Sequence, residues 1–398
     1  MKKLLIVLFI AVSTLVGGIL WAALPDGDDL TRGRRHIPWE FVTFSEPDFE
    51  SDRLGRFAPQ TVVYTEDNGD GWILISTHAG PAWLYYRDVP PPLVAAITIS
   101  AAGDTTLGGD RRWAGYHAFM REFANSGQDH SHFLRNVVHI FEEDDLTILN
   151  LEGTLTYATA HMDKQFVFRG PPHFAQILST SSVEVVSIAN NHTIDFFDRG
   201  YRDTMASLRA VGVEYFGNYY NTIMEINGIS VGLFGHRIWS DSAFNRNRIE
   251  GAIRDLQNRG AQLIIAYYHW GVERSNVPEP YQVAIGRFSI DRGAHLVLGA
   301  HPHVVQGIEE HDGRNIVYSL ANFSFGGNSN PHDQDSFIFQ QTFTFHDGVL
   351  QPENDTNIIP IFVSSVRYRN DFQPTVAQGA DAERILGRIR AYTQMISH

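Results

Sequence analysis

The chain contains no cysteine among its 398 residues. That absence removes disulfides, thiolate metal sites, thiol nucleophiles and lipidation at a cysteine. Positive charge is scarce: 31 Lys and Arg face 45 Asp and Glu, for a formal charge of −14. An acidic surface repels phosphate backbones, which argues against nucleic acid as a partner. Handling an anionic substrate with such a surface requires a local positive centre, and a bound metal ion is one candidate. Repeats, low-complexity tracts and long polar stretches are also missing. The hydrophobic (43%) and charged (19%) fractions are those of a globular protein with room for two or three domains. Histidine, by contrast, is plentiful, with 18 residues. Without thiols, any metal site must use imidazole, carboxylate and amide oxygen.

The N-terminus supplies one long apolar run. "MKKLLIVLFIAVSTLVGGILWAALPDG" carries no charge from Leu4 to Ala23, long enough for a membrane-spanning helix. Lys2, Lys3 and the small residues after Trp21 also fit a signal peptide. The length of the run favours an uncleaved anchor over residues 1–25, with the lysines cytoplasmic. Either way an extracytoplasmic protein is expected, tethered to the cell membrane or secreted. Residues 26–58 mix charge with Gly and Pro and read as a tether. Residues 59–92 have the rhythm of a small all-β module, with "TVVY", "WILIS" and "AWLYY" parted by the turn clusters "TEDNGDG" and "HAGP". The stretches "APQTV", "GWILIST" and "GPAWLY" resemble the bacterial Src-homology-type barrels of cell-surface proteins. "VPPPL" then makes a stiff spacer.

From Val94 onward strands and helices alternate. "AAITISAAGD", "DLTILNLEG", "VEVVSIANNH", "GISVGLFGH", "AQLIIAYYHWG" and "AHLVLGAHPH" are strand-like. "WAGYHAFMREFAN", "HFLRNVVHIFEE", "GYRDTMASLRAVG" and "PYQVAIGRFSIDRG" have helical spacing. This order predicts a layered α/β domain over 94–365 with a largely parallel sheet. The part from "NIVYSLANFSF" to about Phe362 reads as purely β, closing a second sheet, and residues 366–398 as a helical tail.

Ligands of open α/β sheets gather at the carboxyl ends of strands. Here those ends carry Asp104, Glu152, Asn190-Asn191-His192, His269, and His301 with His303. A single Asp after Gly is ordinarily a turn residue, and an Asn pair an Asx turn or a cap. Five separate strand ends bearing carboxylate, amide and imidazole are harder to explain in that way. Asp104, Glu152, Asn191, His269, His301 and His303 could ligate two divalent ions if one residue bridges, with Mn, Zn, Fe or Co all acceptable to such donors. Strand alternation around Pro302 would bring His301 and His303 to one face. His192 is the candidate general acid and Asp195, three residues on, its orienting partner. Asn190 and Glu273 are candidate substrate contacts. His78, His117, His130, His132, His139, His161, His173 and His236 fall outside the pattern and read as structural or surface residues.

The segments "AAGDTTLGG", "LNLEGTLT", "SIANNHTIDFFDRG", "YYHWGVE", "GAHPHVVQGIE" and "YSLANFSFG" resemble, in that order, the CapA family linked to poly-γ-glutamate capsule synthesis. That family is similar to calcineurin-like metallophosphoesterases. The resemblance covers about Ala96 to Phe345 and implies a four-layer αββα sandwich with a dinuclear centre. It makes Asp104 the first-strand ligand and Glu152 the bridging carboxylate. Asn191 and His192 become ligand and general acid, and the three later histidines become ligands. One departure stands out: Thr106 occupies a position where the wider superfamily has a histidine ligand, which puts the occupancy of one ion position in doubt. "AN" at Ala321-Asn322 replaces the usual "GN".

These readings converge on a tethered, outward-facing protein with a metal-dependent hydrolase fold, acting on an anionic polymer such as poly-γ-glutamate. Metal-activated hydroxide would attack a phosphoester or an amide, with His192 protonating the leaving group. The rival is a non-catalytic scaffold that binds metal and polymer for a capsule synthase, an exporter or the wall. A third possibility is that the histidines only pack and no metal binds.

Overall fold

The computed structural model describes residues 94–396 except 347, 353 and 354. Before them it describes six strands with adjoining turn residues between Gly33 and Tyr85. The expected anchor over 1–25 lies outside the described residues, among which no helix is long and apolar enough to cross a membrane. The chain divides into two compact units, Met1–Leu93 and Val94–His398.

The first unit holds a six-stranded antiparallel sheet in the order Gly33–Ile37, Gln60–Asp67, Trp72–Thr77, Gly80–Tyr85, Phe41–Phe44, Arg53–Phe57. Ile73, Ile75, Ala82 and Leu84 are buried on it. Trp72 meets the rings of Phe44 at 5.4 Å and Tyr85 at 5.2 Å, both edge to face. Three of these strands lie within 26–58, so the reading of that stretch as a tether is corrected. Two of the three, "GRRHI" and "RLGRF", are the edge strands of the sheet. Charge on an edge strand blocks edge-to-edge pairing, and here it also hides the strand pattern.

The second unit is built on two mixed sheets. The larger runs Glu214–Phe216, Val185–Ser187, Leu146–Leu151, Val94–Thr106, Asp335–His346, Asp355–Phe362, Thr375–Val376, with Asn322–Phe325 added in parallel to the end of Val94–Thr106. The smaller runs Thr222–Ile226, Ile229–Ile238, Leu263–Trp270, Leu296–Ala300, Arg314–Val317, Ile308–His311. The parallel strands lie together within each sheet, and antiparallel strands complete each one. Of the late β segments only Arg314–Val317 helps to complete the second sheet. Asp335–His346 and Asp355–Phe362 widen the sheet that Val94–Thr106 begins, and Thr375–Val376 carries it past residue 365 into the supposed tail.

Alternation along the strands explains the layering. Leu146 and Ile148 of one sheet join Leu263, Ile265, Tyr267, Leu296 and Leu298 of the other in a shared core. The intervening Leu149 and Leu151 pack outward against helical residues such as Phe119, Leu178 and Leu208. Ile264, Ala266, Tyr268 and Val297 do the same on the far side with Ile249, Ile253 and Phe288. Helix, sheet, sheet and helix follow one another, each sheet buried on both faces.

The outer helices have legible ends. The Ser242 hydroxyl accepts from Asn245 N at 3.3 Å and caps Ala243–Asn258. Pro280 and a Glu279–Gln282 capping box open Pro280–Asp291. Phe197–Ala210 buries Gly200, Thr204, Met205 and Leu208 on one face, and Gly212 follows at φ +76°. The predicted helix over "HFLRNVVHIFEE" is shorter, reduced to Val138–Glu142 after a 3₁₀ turn at His130–His132.

Candidate metal centre

The inward-facing positions of each sheet turn from apolar to polar at the strand ends. Leu263, Ile265 and Tyr267 are followed on the same face by His269, and Leu146 and Ile148 by Asn150. The polar groups therefore cap the inter-sheet core. Asp104 is fully buried there; its Oδ1 accepts from Asn150 Nδ2 at 2.7 Å and its Oδ2 from His301 N at 3.0 Å. Gly103 makes this possible. A Cβ at that position would stand 1.9 Å from the Ala321 carbonyl oxygen, which accepts from Asp104 N at 2.9 Å.

Glu152 is fully buried, and neither of its carboxylate oxygens has a hydrogen-bond partner. Its Oε1 lies 3.6 Å from His269 Nε2 and 3.8 Å from His192 Nε2. Donor atoms of Glu152, His269 and His301 lie within 4.8 Å of one another, as do those of Asp104, Glu152 and His303. Glu152 is common to both groups. Asn191 Oδ1 is hydrogen-bonded to His269 Nε2 at 2.7 Å, which brings the amide oxygen to the same cluster.

His301 and His303 converge by a route other than strand alternation. The strand stops at Ala300, and both residues take left-handed backbone angles, φ +97° and +58°, around Pro302. Such angles are costly for non-glycine residues and persist only where the surroundings impose them. The rings stand 5.8 Å apart, and Asn322 Oδ1 holds His303 Nδ1 at 2.9 Å. His303 Nδ1 is also 3.1 Å from Asp104 Oδ2.

Electrostatics follow from this packing. Burial, and next the Asp104 charge, push the Glu152 carboxyl well above its usual range. Burial opposes charge on His303 too, but the Glu152 and Asp104 carboxylates prevail and raise it to about 10. Burial, followed by the His303 charge, lowers His301 to about 4, and burial with the His301 charge drives His269 well down. The neutral imidazoles of His269 and His301, a His301 Nδ1 with no partner and a Glu152 carboxyl with neither oxygen hydrogen-bonded form a donor set suited to divalent cations, which would displace the proton that the carboxylates hold on His303.

His192 stands beside this cluster. Its Nδ1 pairs with Asp195 Oδ2 at 2.6 Å, and its ring stacks on Phe168 at 3.9 Å between centroids. Burial lowers its pKa against the opposing Asp195 hydrogen bond. Lys164 Nζ reaches Asp195 Oδ1 at 2.5 Å and the Asn191 carbonyl at 2.9 Å. The cluster opens on a cleft of about 550 Å³ walled by Phe166, Phe168, His192, Glu273, Arg274 and His303.

The structure thus brings Asp104, Glu152, Asn191, His192, Asp195, His269, His301 and His303 together. Exposed Glu273 is at the mouth, and it groups with His301 and His303 in a third potential donor set. Asn190 is placed otherwise. It is buried, its amide donates to the Leu151 carbonyl at 2.8 Å and to Asn150 Oδ1 at 3.3 Å, and its Oδ1 accepts from His192 N at 3.1 Å. It braces the turn instead of facing substrate. Thr106 is buried, with its hydroxyl donating to the Glu152 carbonyl at 2.8 Å. Sequence reasoning missed Asn150, Asn322, Lys164 and Trp239, whose ring meets His301 edge-on at 4.7 Å. Asn150 left a signal as the polar residue in phase with Leu146 and Ile148, and Asn322 as the second residue of the "AN" motif position.

The PGA biosynthesis protein CapA of Bacillus subtilis (strain 168) is 26% identical to this chain over 207 residues, covering 47% of this chain and 54% of that protein. The capsule biosynthesis protein CapA of Bacillus anthracis is 25% identical over 257 residues, 58% of this chain and 60% of that protein. A probable polyglutamine synthesis accessory protein of Mycobacterium tuberculosis is 26% identical over 208 residues, 44% of this chain and 54% of its own length. The chain therefore spans about half the length of the curated relatives it matches. Residues 98–327, more than half the chain and all the ligand positions above, match the family described as bacterial capsule synthesis protein PGA_cap, and the chain belongs to that family.

Proposed function

We propose that this chain is a metal-dependent hydrolase of the calcineurin-like metallophosphoesterase type, acting outside the cytoplasm on an anionic surface polymer of the poly-γ-glutamate kind. In this reading its N-terminal segment tethers it to the membrane, and capsule synthase, export or wall components are its neighbours. The observation that carries the proposal is the Glu152 carboxylate, wholly buried, without a donor, and shared by two groups of potential ligands. A carboxylate so placed is costly unless a cation lies against it. The family description and the name of the B. anthracis relative support a capsule role, and the name of the B. subtilis relative supports PGA as the polymer.

Asp104, Glu152, Asn191, His269, His301 and His303 would hold one or two ions, of Mn, Zn, Fe or Co. Such ions, when bound, supply charge opposite a developing oxyanion and acidify water. The protein's own groups provide the rest. Asp195 holds the Nδ1 proton of His192, which leaves Nε2 facing Glu152 and the cleft to give a proton to the departing oxygen or nitrogen. Phe168 keeps the ring from turning, Lys164 keeps Asp195 in place, and Glu273 and Arg274 meet the incoming chain at the mouth.

A non-catalytic, metal-binding scaffold is the second reading, favoured by Thr106. Its hydroxyl is committed to the Glu152 backbone, leaving one ion with a ligand fewer than the wider superfamily provides. The deciding experiment measures metal stoichiometry in the purified chain and turnover of phosphoester and γ-glutamyl amide substrates, with His192→Ala alongside. An enzyme loses turnover in the variant and keeps its metal. Bound metal with no turnover on any substrate leaves the scaffold, and zero metal sinks both.

A further inference from the structure

The segment Phe166–Arg169 parts two cavities. Phe166 and Phe168 line the cleft beside His192, and the alternate residues Val167 and Arg169 line a second cavity of about 370 Å³. Both sides of the segment are pinned: Asp195 Oδ2 accepts from Phe168 N at 2.5 Å, and Asp110 Oδ2 from Val167 N at 3.0 Å.

The second cavity is cationic in a protein of formal charge −14. Arg111, Arg112, Arg169 and His161 contribute to its wall, and Asp110 is its only acid. That acid is already engaged, since Arg112 pairs with its two oxygens at 3.0 and 2.6 Å. Among the described residues Arg111 and Arg169 make no ion pair. Arg169 lies over the Phe196 ring at 5.1 Å and donates to the Ala158 carbonyl, and Arg111 lies over Tyr116 at 5.9 Å. Burial, and then the neighbouring Arg111 charge, hold Arg169 below the ordinary guanidinium range. Elsewhere Arg384 and Arg388 converge on Asp335 and Arg287 meets Glu309, while partly buried Arg248 and Arg314 also make no ion pair among the described residues. Two guanidiniums that repel each other in one hollow suit an oxyanion, which each can bind through two N–H groups.

We infer that Arg111 and Arg169 form an oxyanion-binding subsite, which takes carboxylate or phosphate oxygens from the same anionic chain whose neighbouring part occupies the cleft across Phe166–Arg169. This rests on the anionic-polymer reading above, but it is tested by binding alone, so failure to find hydrolysis leaves it standing.

The test titrates the full chain, by calorimetry, with a γ-linked glutamate oligomer and, separately, with inorganic phosphate. Arg111→Gln and Arg169→Gln should each weaken binding about tenfold or more, with Arg169→Lys intermediate, because a charge-assisted pair is lost or reduced to a point charge. Loss confined to the glutamate oligomer identifies a carboxylate ligand, and loss confined to phosphate a phosphoryl one. Unchanged affinity for both probes in folded variants overturns the subsite. If Arg169→Gln does not fold, Arg111→Gln, at an exposed position, decides alone.

Discussion

Lys164 and His192 share one carboxylate. Lys164 Nζ sits 2.5 Å from Asp195 Oδ1, and His192 Nδ1 sits 2.6 Å from Asp195 Oδ2. The histidine is thereby fixed as a tautomer with Nε2 free toward the cleft, and the lysine neutralises the buried acid that does the fixing.

The first prediction concerns this arrangement. His192→Ala should lower kcat by roughly 10²- to 10⁴-fold, the usual contribution of a general acid. Asp195→Asn and Lys164→Met, acting through the imidazole, should each cost about 10- to 100-fold. Metal content should not change in any of the three. Steady-state kinetics paired with elemental analysis checks it, and a parallel fall in metal would mean these residues build the site instead of serving the proton.

A second prediction separates stability from metal affinity at Glu152. In EDTA, Glu152→Gln should unfold at least as late as the parent, because the amide has no charge to desolvate. With divalent metal at about a hundredfold excess over its Kd, the parent should gain about 2.7 kcal/mol and the variant much less. Thermal unfolding with and without metal reads both. A variant less stable in EDTA but equally stabilised by metal would contradict the assignment.

The opposite end of the larger sheet offers a pH prediction. Glu184 Oε2 accepts from Thr147 N and Asp144 Oδ2 from the Thr147 hydroxyl, where strand Leu146–Leu151 begins. Burial first, and then neighbouring acids, raise Glu184 to about 7 and Asp144 to about 6. The folded state therefore holds these protons more tightly than the unfolded state. Stability is fullest below the ordinary carboxyl range and declines as pH rises through 6 to 7. Discounted for its partial exposure, Glu184 accounts for on the order of 1 kcal/mol. Glu184→Gln should flatten the decline between pH 5 and 8 in chemical denaturation, and an unchanged slope would refute the account.

Much of the centre was legible because period-two alternation is local. Once Leu263, Ile265 and Tyr267 are read as inward, His269 must point the same way, and the same logic delivers Glu152's neighbourhood. What stayed hidden depends on contacts between distant segments. Lys164 lies in an irregular stretch with no pattern, and its partner is 31 positions away in sequence only because the fold returns Asp195 beneath it. Asn190 carries the same side chain as Asn191, and only the turn geometry decides which amide braces the turn and which meets His269. The edge strands Gly33–Ile37 and Arg53–Phe57 were hidden by their own charges. The widening of the first sheet by Asp335–His346 could not be read either, because strand order is a long-range property.

A last prediction follows from the contact between Gly103 and Ala321. Gly103→Ala would place a methyl 1.9 Å from the Ala321 carbonyl oxygen, so the strand end bearing Asp104 has to move. The variant should lose several kcal/mol, as overpacking of rigid backbone does, and should lose bound metal with it. Unfolding midpoint and metal content together check this, and a variant matching the parent in both would show that the contact yields.

Asp104 does two jobs with its two oxygens. Oδ1 accepts from Asn150, while Oδ2 lies 3.1 Å from His303 Nδ1 and accepts from the backbone N–H of His301, a residue at φ +97°. Deleting this carboxylate therefore removes a candidate ligand and also unclasps a sprung loop that carries two more. Inactivity in an alanine variant at this position would report the collapse of a whole corner, so a lesion there counts as three when the contribution of each donor is apportioned.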